Sequence, residues 1–132
     1  MRDDETHSEI LAWSQSILGA CQVVSGDARF HGRTTVSKLR ARSGHAYLKI
    51  YEDRATWEPE VHGYEQWSPA FGNRTPALLG VYDADPFAVL TSDLGGKNLE
   101  DAALPASQQP TVWRAAGRAL TALHDHAAGE FF

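Results

Sequence analysis

The sequence predicts an α+β fold: a five-stranded antiparallel sheet with one helix between strands three and four, preceded by an N-terminal helix and followed by a C-terminal helix. Three observations point there. Residues 20–51 hold three short β-like runs closed by turn residues. An amphipathic run follows at 56–67, and two further apolar runs at 77–83 and 87–93 are joined by Ala84-Asp85-Pro86. The 132 residues, 42% hydrophobic and 22% charged, suit one small folded domain, with about 70% of the unfolded surface buried.

In chain order, Thr6-x-x-Glu9 is a capping-box pattern. Ile10, Trp13, Ser14 and Ile17 then recur at helical spacing up to Gly19, which predicts a helix over 7–18. "ACQVVSG" reads as the first strand and "GDARFHG", 26–32, as a glycine-flanked loop. "TTVSKLRAR" is the second strand, Ser43-Gly44 the turn, and "AYLKIY", 46–51, the third strand. Its alternation puts Ala46, Leu48 and Ile50 on one face, and Tyr47, Lys49 and Tyr51 on the other. The next helix is expected from a Thr56 cap to about Trp67, with Pro59 tolerated in the first turn and Ser68-Pro69 as its end. "ALLGVYD" and "FAVLTSD" are strands four and five, and "LGGKNLEDA", 94–102, is a loop. A last helix starts between Ser107 and Thr111, with Val112, Ala116, Ala119, Leu120 and Leu123 as its apolar stripe. The expected organisation is an N-terminal helix at 1–19, a sheet lobe at 20–98 and a helical segment at 99–132.

Charge and composition exclude several classes. A net charge of −5 and a pI near 5.6 do not suit a nucleic-acid footprint. No apolar run approaches the ~20 residues of a membrane span, and "MRDDE" is no signal peptide. The single Cys21 cannot form an internal disulfide and suits a reducing compartment, so a cytoplasmic protein is expected. Cys21 itself reads as a small core residue.

Lys49 is the one charge in an otherwise apolar and aromatic strand. A buried ammonium without a partner costs several kcal/mol, so it must reach water, a carboxylate or an anionic ligand. Glu58, Glu60 and Glu65 are the acids on the following helix. Glu60 shares an i, i+4, i+7 stripe with Tyr64 and Trp67, which makes it the expected partner. Spacing alone leaves a second reading open, a surface lysine and a solvated glutamate.

Two other stretches carry less. "SGDARFHGRTT" fails the nucleotide P-loop pattern: five residues separate Gly26 from Gly32, and Arg33 stands where lysine is required. "LHDHA" holds His124, Asp125 and His126, but helical spacing puts the two histidines on different faces, so they read as helix-terminal polar residues.

Taken in order, these pieces resemble the N-terminal lobe of the protein-kinase-like phosphotransferases, above all the aminoglycoside phosphotransferase family. "AYLKIY" resembles the third-strand motif whose lysine contacts the nucleotide α- and β-phosphates. "WEPEVHGYEQW" resembles the helix whose glutamate pairs with that lysine, which maps onto Glu60. "FAVLTSDLGGKNL" resembles the fifth strand and hinge, so Thr91 takes the gatekeeper position and the backbone of Ser92, Asp93 and Leu94 would meet the adenine edge. "RALTALHDH" resembles the first long helix of the C-terminal lobe. Loop 26–35 takes the place of the glycine-rich loop but lacks its G-x-G-x-x-G pattern. The resemblance covers residues 20–127.

That resemblance implies ATP as the cofactor, with Mg²⁺ brought by the nucleotide, and a small-molecule acceptor for the complete enzyme. The family's chemistry lies on an H-G-D-x-x-x-x-N-like loop and a later metal-binding Asp. No His-Gly-Asp occurs in this sequence. No residue here is therefore expected to be catalytic or to bind metal, and the chain is expected to be a truncated lobe that cannot transfer phosphate alone. The alternative is a non-catalytic protein that uses the same half-fold to bind a partner or self-associate through its C-terminal helix.

Overall fold

A computed structural model describes residues 2–31, 34–95 and 103–131, with side chains over 8–24, 34–95 and 103–126. Helix α1 spans Arg2–Leu18. Strands β1 (Cys21–His31), β2 (Thr34–Ala41) and β3 (Gly44–Tyr51) form a meander. Helix α2 (Arg54–His62) continues into a π-helical turn at Gly63–Trp67 and a 3-10 stretch at Ser68–Arg74. Strands β4 (Leu78–Tyr82) and β5 (Ala88–Ser92) precede helix α3 (Gln109–Phe131). The sheet order is β1-β2-β3-β5-β4, antiparallel throughout, so β3 sits in the middle. The expected α+β class, its five strands and its three helices are all present.

The alternation of "AYLKIY" sorts two cores onto the two faces of the sheet. On one face Ala46 and Leu48 pack with Leu39, Ala88, Leu90 and Ile10 of α1. On the other, Tyr51 and Val89 pack with Trp57 and Val61 of α2. Lys49 lies on this second face, opposite Val36 and Val89 in the register.

Four local expectations are corrected. Helix α1 begins at Arg2, which places Thr6 inside the helix and not at its cap. The stretch from Gly26 to His31 is not a loop: it continues β1, and a register irregularity between Val23 and Ala28 absorbs the extra residues. Gly32 and Arg33 lie outside the described residues, as do 96–102 of the expected loop and the lobe boundary at 98. Asp53, not Thr56, caps α2: its side chain accepts from the Thr56 amide at 2.8 Å. Finally, α2 keeps α-helical form only to His62, and the Ser68 amide reaches back to Gly63 O to close the wider turn.

Helix α1 docks by close approach at Gly80 of β4. A Cβ there would stand 2.5 Å from Ile17 Cδ1 and 3.0 Å from Trp13 Cζ2. Trp13 also packs against Tyr82, with ring centroids 5.3 Å apart. Gly80→Val is expected to push α1 off the sheet at a cost of about 1–3 kcal/mol. Limited proteolysis between α1 and β1 should then quicken, and an unchanged cleavage rate would contradict the docking.

Candidate functional site

The site is built on the second face of the sheet, around Lys49. The inward stripe of the helix that covers it is Trp57, Val61 and Tyr64, at i, i+4 and i+7. Trp57 is 4% exposed, and its Nε1–H donates to the Ala88 carbonyl at 3.0 Å, which ties α2 to β5. Glu60 is not part of that stripe and is solvent-exposed, because its neighbours Trp57 and Val61 occupy the buried face.

This corrects the expected Lys49–Glu60 pair. The Lys49 ammonium donates to the Tyr64 hydroxyl at 2.8 Å. Its nitrogen is 5.4 Å from the Tyr64 ring centroid, so it lies out beyond the hydroxyl and not over the ring face. Glu60 accepts instead from the Tyr51 hydroxyl, at 2.7 Å. Two phenols thus stand where one ion pair was expected. The π turn supplies the geometry, since Tyr64 is its second residue and follows directly on the buried stripe.

Tyr51 is 1% exposed. Burial first, and then the hydrogen bond and charge of Glu60, push its phenol well above the ordinary tyrosine range. The folded state therefore resists losing this proton more than the unfolded state does. The resulting stability is fully present below the unfolded value of about pH 10 and is lost as pH rises beyond it. Urea midpoints should fall steeply above about pH 10, and less steeply in Tyr51→Phe. Equal alkaline slopes for both proteins would contradict the assignment. Burial also raises the Cys21 thiol, which suits its place in the core.

Thr91 is 1% exposed and sits opposite Tyr47 on the Lys49 face. Ser92 is already engaged: its amide donates to Ala77 O at 2.9 Å, and its hydroxyl accepts from the Ala77 amide at 2.8 Å. Asp93 accepts from the Gly95 amide at 2.7 Å and lies 3.9 Å from the Lys38 ammonium. Leu94 is 52% exposed. The segment Ser92–Leu94 borders two cavities. One, of about 470 Å³, lies on the α1 side and includes Leu18 and Ala46. The other, of about 450 Å³, is on the Lys49 side and is lined by Tyr64, Leu78, Ser92 and Leu94 among others. Tyr64 thus connects the lysine to the cavity beside the segment after β5.

Helix α3 approaches the same region from its C-terminal part. Leu123 joins Glu60, Tyr64 and Trp67 around a smaller cavity of about 250 Å³. His126 Nε2 lies 2.7 Å from Gln66 O, so the nitrogen must carry a proton and donate. His126 therefore anchors α3 to the π turn. Among the described residues no three potential metal-ligating side chains stand together. No helix there is long and apolar enough to cross a membrane.

The partner of Lys49 that spacing does not single out is Tyr64. Spacing puts it on the inward stripe as a neighbour of Glu60, not as the partner of Lys49. The signal that finds it is the Trp57-Val61-Tyr64 stripe, which carries two strong apolar anchors where the Glu60 stripe has an acid.

No curated protein and no solved structure shows a significant match to the chain. The family model for the phosphotransferase enzyme family does match, over residues 28–132, which takes in β2 through α3 and every residue of the site just described. The chain belongs to the phosphotransferase enzyme family.

Proposed function

We propose that the Lys49 face of the sheet is the nucleotide-binding part of an ATP-dependent, small-molecule phosphotransferase of the aminoglycoside type. One observation carries this reading: the charge of Lys49 meets a neutral phenol, not a carboxylate, on the face that opens to the Tyr64–Ser92–Leu94 cavity. A half-buried ammonium with no counter-ion among the described residues favours an anion, and a polyphosphate is the anion the family handles. Lys49 orients the α- and β-phosphates. Thr91, buried on the same face, takes the gatekeeper position. The backbone of Asp93 and Leu94 meets the adenine edge; Ser92, whose amide is held by Ala77, contributes less. Glu60 and Tyr51 form the neighbouring polar pair.

Phosphoryl transfer also needs a base and metal ligands. The sequence contains no His-Gly-Asp stretch, so Mg²⁺ arrives with ATP and the chain by itself binds without transferring. A small-molecule acceptor belongs to an enzyme that carries the remaining machinery. The cytoplasm is the compartment that suits a free, buried Cys21. Calorimetric titration with ATP·Mg²⁺, alongside a phosphate-release assay, tests the reading. Binding without release is expected. Absence of binding would remove the nucleotide assignment, and sustained release would remove the claim of incompetence.

A second reading is favoured by α3. Trp113 is 66% exposed and Leu120 52% exposed on this helix, an apolar surface that a second copy of the chain would cover. Light scattering that finds dimers, with no ATP binding, supports a non-catalytic, self-associating protein. Monomers that bind ATP exclude it.

A further inference from the structure

The hydrogen bond between Lys49 and Tyr64 leaves one proton without a use. An ammonium has donors only, so the Tyr64 oxygen must be the acceptor at 2.8 Å. The phenol's own O–H then points elsewhere, and no described residue accepts it. Tyr51 differs, because its O–H is committed to Glu60. The two tyrosines therefore sort the charges of the site. Tyr51 holds the carboxylate, which would repel an anion, and Tyr64 holds the ammonium, which would attract one. A phenol is neutral, so Tyr64 keeps Lys49 in place without cancelling its charge.

We propose that Tyr64 is a second phosphate-binding residue: its hydroxyl donates to an oxygen of the bound polyphosphate while its lone pair holds the Lys49 ammonium. The proposal deepens the nucleotide reading above and rests on it. The ammonium and the phenol, 2.8 Å apart, are close enough for both to donate to one anionic group. Tyr64 also lines the cavity shared with Ser92 and Leu94, so a ligand in that cavity lies against the residue that holds Lys49. The π turn gives this tyrosine its position, and such turns recur at functional sites.

The test uses the full chain, Tyr64→Phe and Lys49→Met, titrated calorimetrically with ATP and with adenosine. Tyr64→Phe keeps the ring and removes only the hydroxyl. It is expected to weaken ATP binding about tenfold while adenosine binding is unchanged. If Tyr64→Phe binds ATP as tightly as the wild type, or more tightly, while Lys49→Met weakens it, the tyrosine proposal is overturned and the nucleotide reading stands. If the wild type binds neither ligand, both fall. A second measurement does not depend on the variant folding. With tyrosine ring carbons labelled, inorganic tripolyphosphate should move the Tyr64 signal more than those of the other three tyrosines. A Tyr64 signal that stays fixed while tripolyphosphate binds overturns the proposal.

Discussion

Trp57→Ala is expected to cost about 3–5 kcal/mol and to lower the melting temperature by roughly 12–20 °C. Two effects combine. The indole is 4% exposed and packs on Phe87, with ring centroids 5.2 Å apart, so its loss opens a cavity under α2. Its N–H also satisfies the Ala88 carbonyl at 3.0 Å, and Ala88 is itself fully buried. Losing that hydrogen bond adds to the cavity. Small domains hold only about 5–15 kcal/mol of stability in total, so the variant sits near the edge of folding. Trp57→Phe separates the two effects, because it fills most of the space but cannot donate. It should cost about 0.5–1.5 kcal/mol, the net worth of one hydrogen bond. Thermal melts followed by circular dichroism decide the matter. An alanine variant that melts within a few degrees of the wild type would mean that α2 is not fastened to the sheet through this residue.

The two faces of the sheet are legible in the sequence, and the faces of the covering helix are less so. Period-two alternation in residues 46–51 was enough to place Ala46 and Leu48 on one face and Lys49 and Tyr51 on the other, because a central strand has only two faces to offer. Helical periodicity was less decisive. Tyr64 belongs to two possible stripes, one through Glu60 and Trp67 and one through Trp57 and Val61. Spacing does not rank them, but burial energy does: a tryptophan and a valine at the inward positions outweigh a glutamate. The π turn had no sequence signal beyond Gly63, since widening a helical turn depends on what the following segment packs against. The glycine at 26 suggested a loop, yet pairing with β2 kept the chain extended through His31. At the cap, Asp53 and Thr56 were both able cap residues. Asp53 takes the role because its carboxylate reaches both the amide and the hydroxyl of Thr56, each at 2.8 Å.

Lys49→Met is expected to weaken ATP binding by about 10- to 100-fold and to leave adenosine binding nearly unchanged. The argument turns on which part of the ligand the ammonium meets. Lys49 sits on the central strand, and its recorded partner is the neutral Tyr64 hydroxyl. Among the described residues no ion pair cancels its positive charge, which on the proposed reading leaves it for a phosphate. Charge-assisted hydrogen bonds to phosphate are worth more than neutral ones, and the loss falls on the phosphate-dependent part of the affinity alone. Added salt should reduce the wild-type affinity for ATP and barely affect the variant, because screening acts on the charge that methionine lacks. Stability should move in the opposite sense to affinity. The lysine is half-buried between Val36 and Val89, and an apolar side chain of similar length fits that surface without the desolvation cost of an ammonium. A variant that melts no lower than the wild type yet loses ATP would locate the function of Lys49 in binding. A variant that loses stability and keeps ATP would make the lysine a structural residue of the sheet.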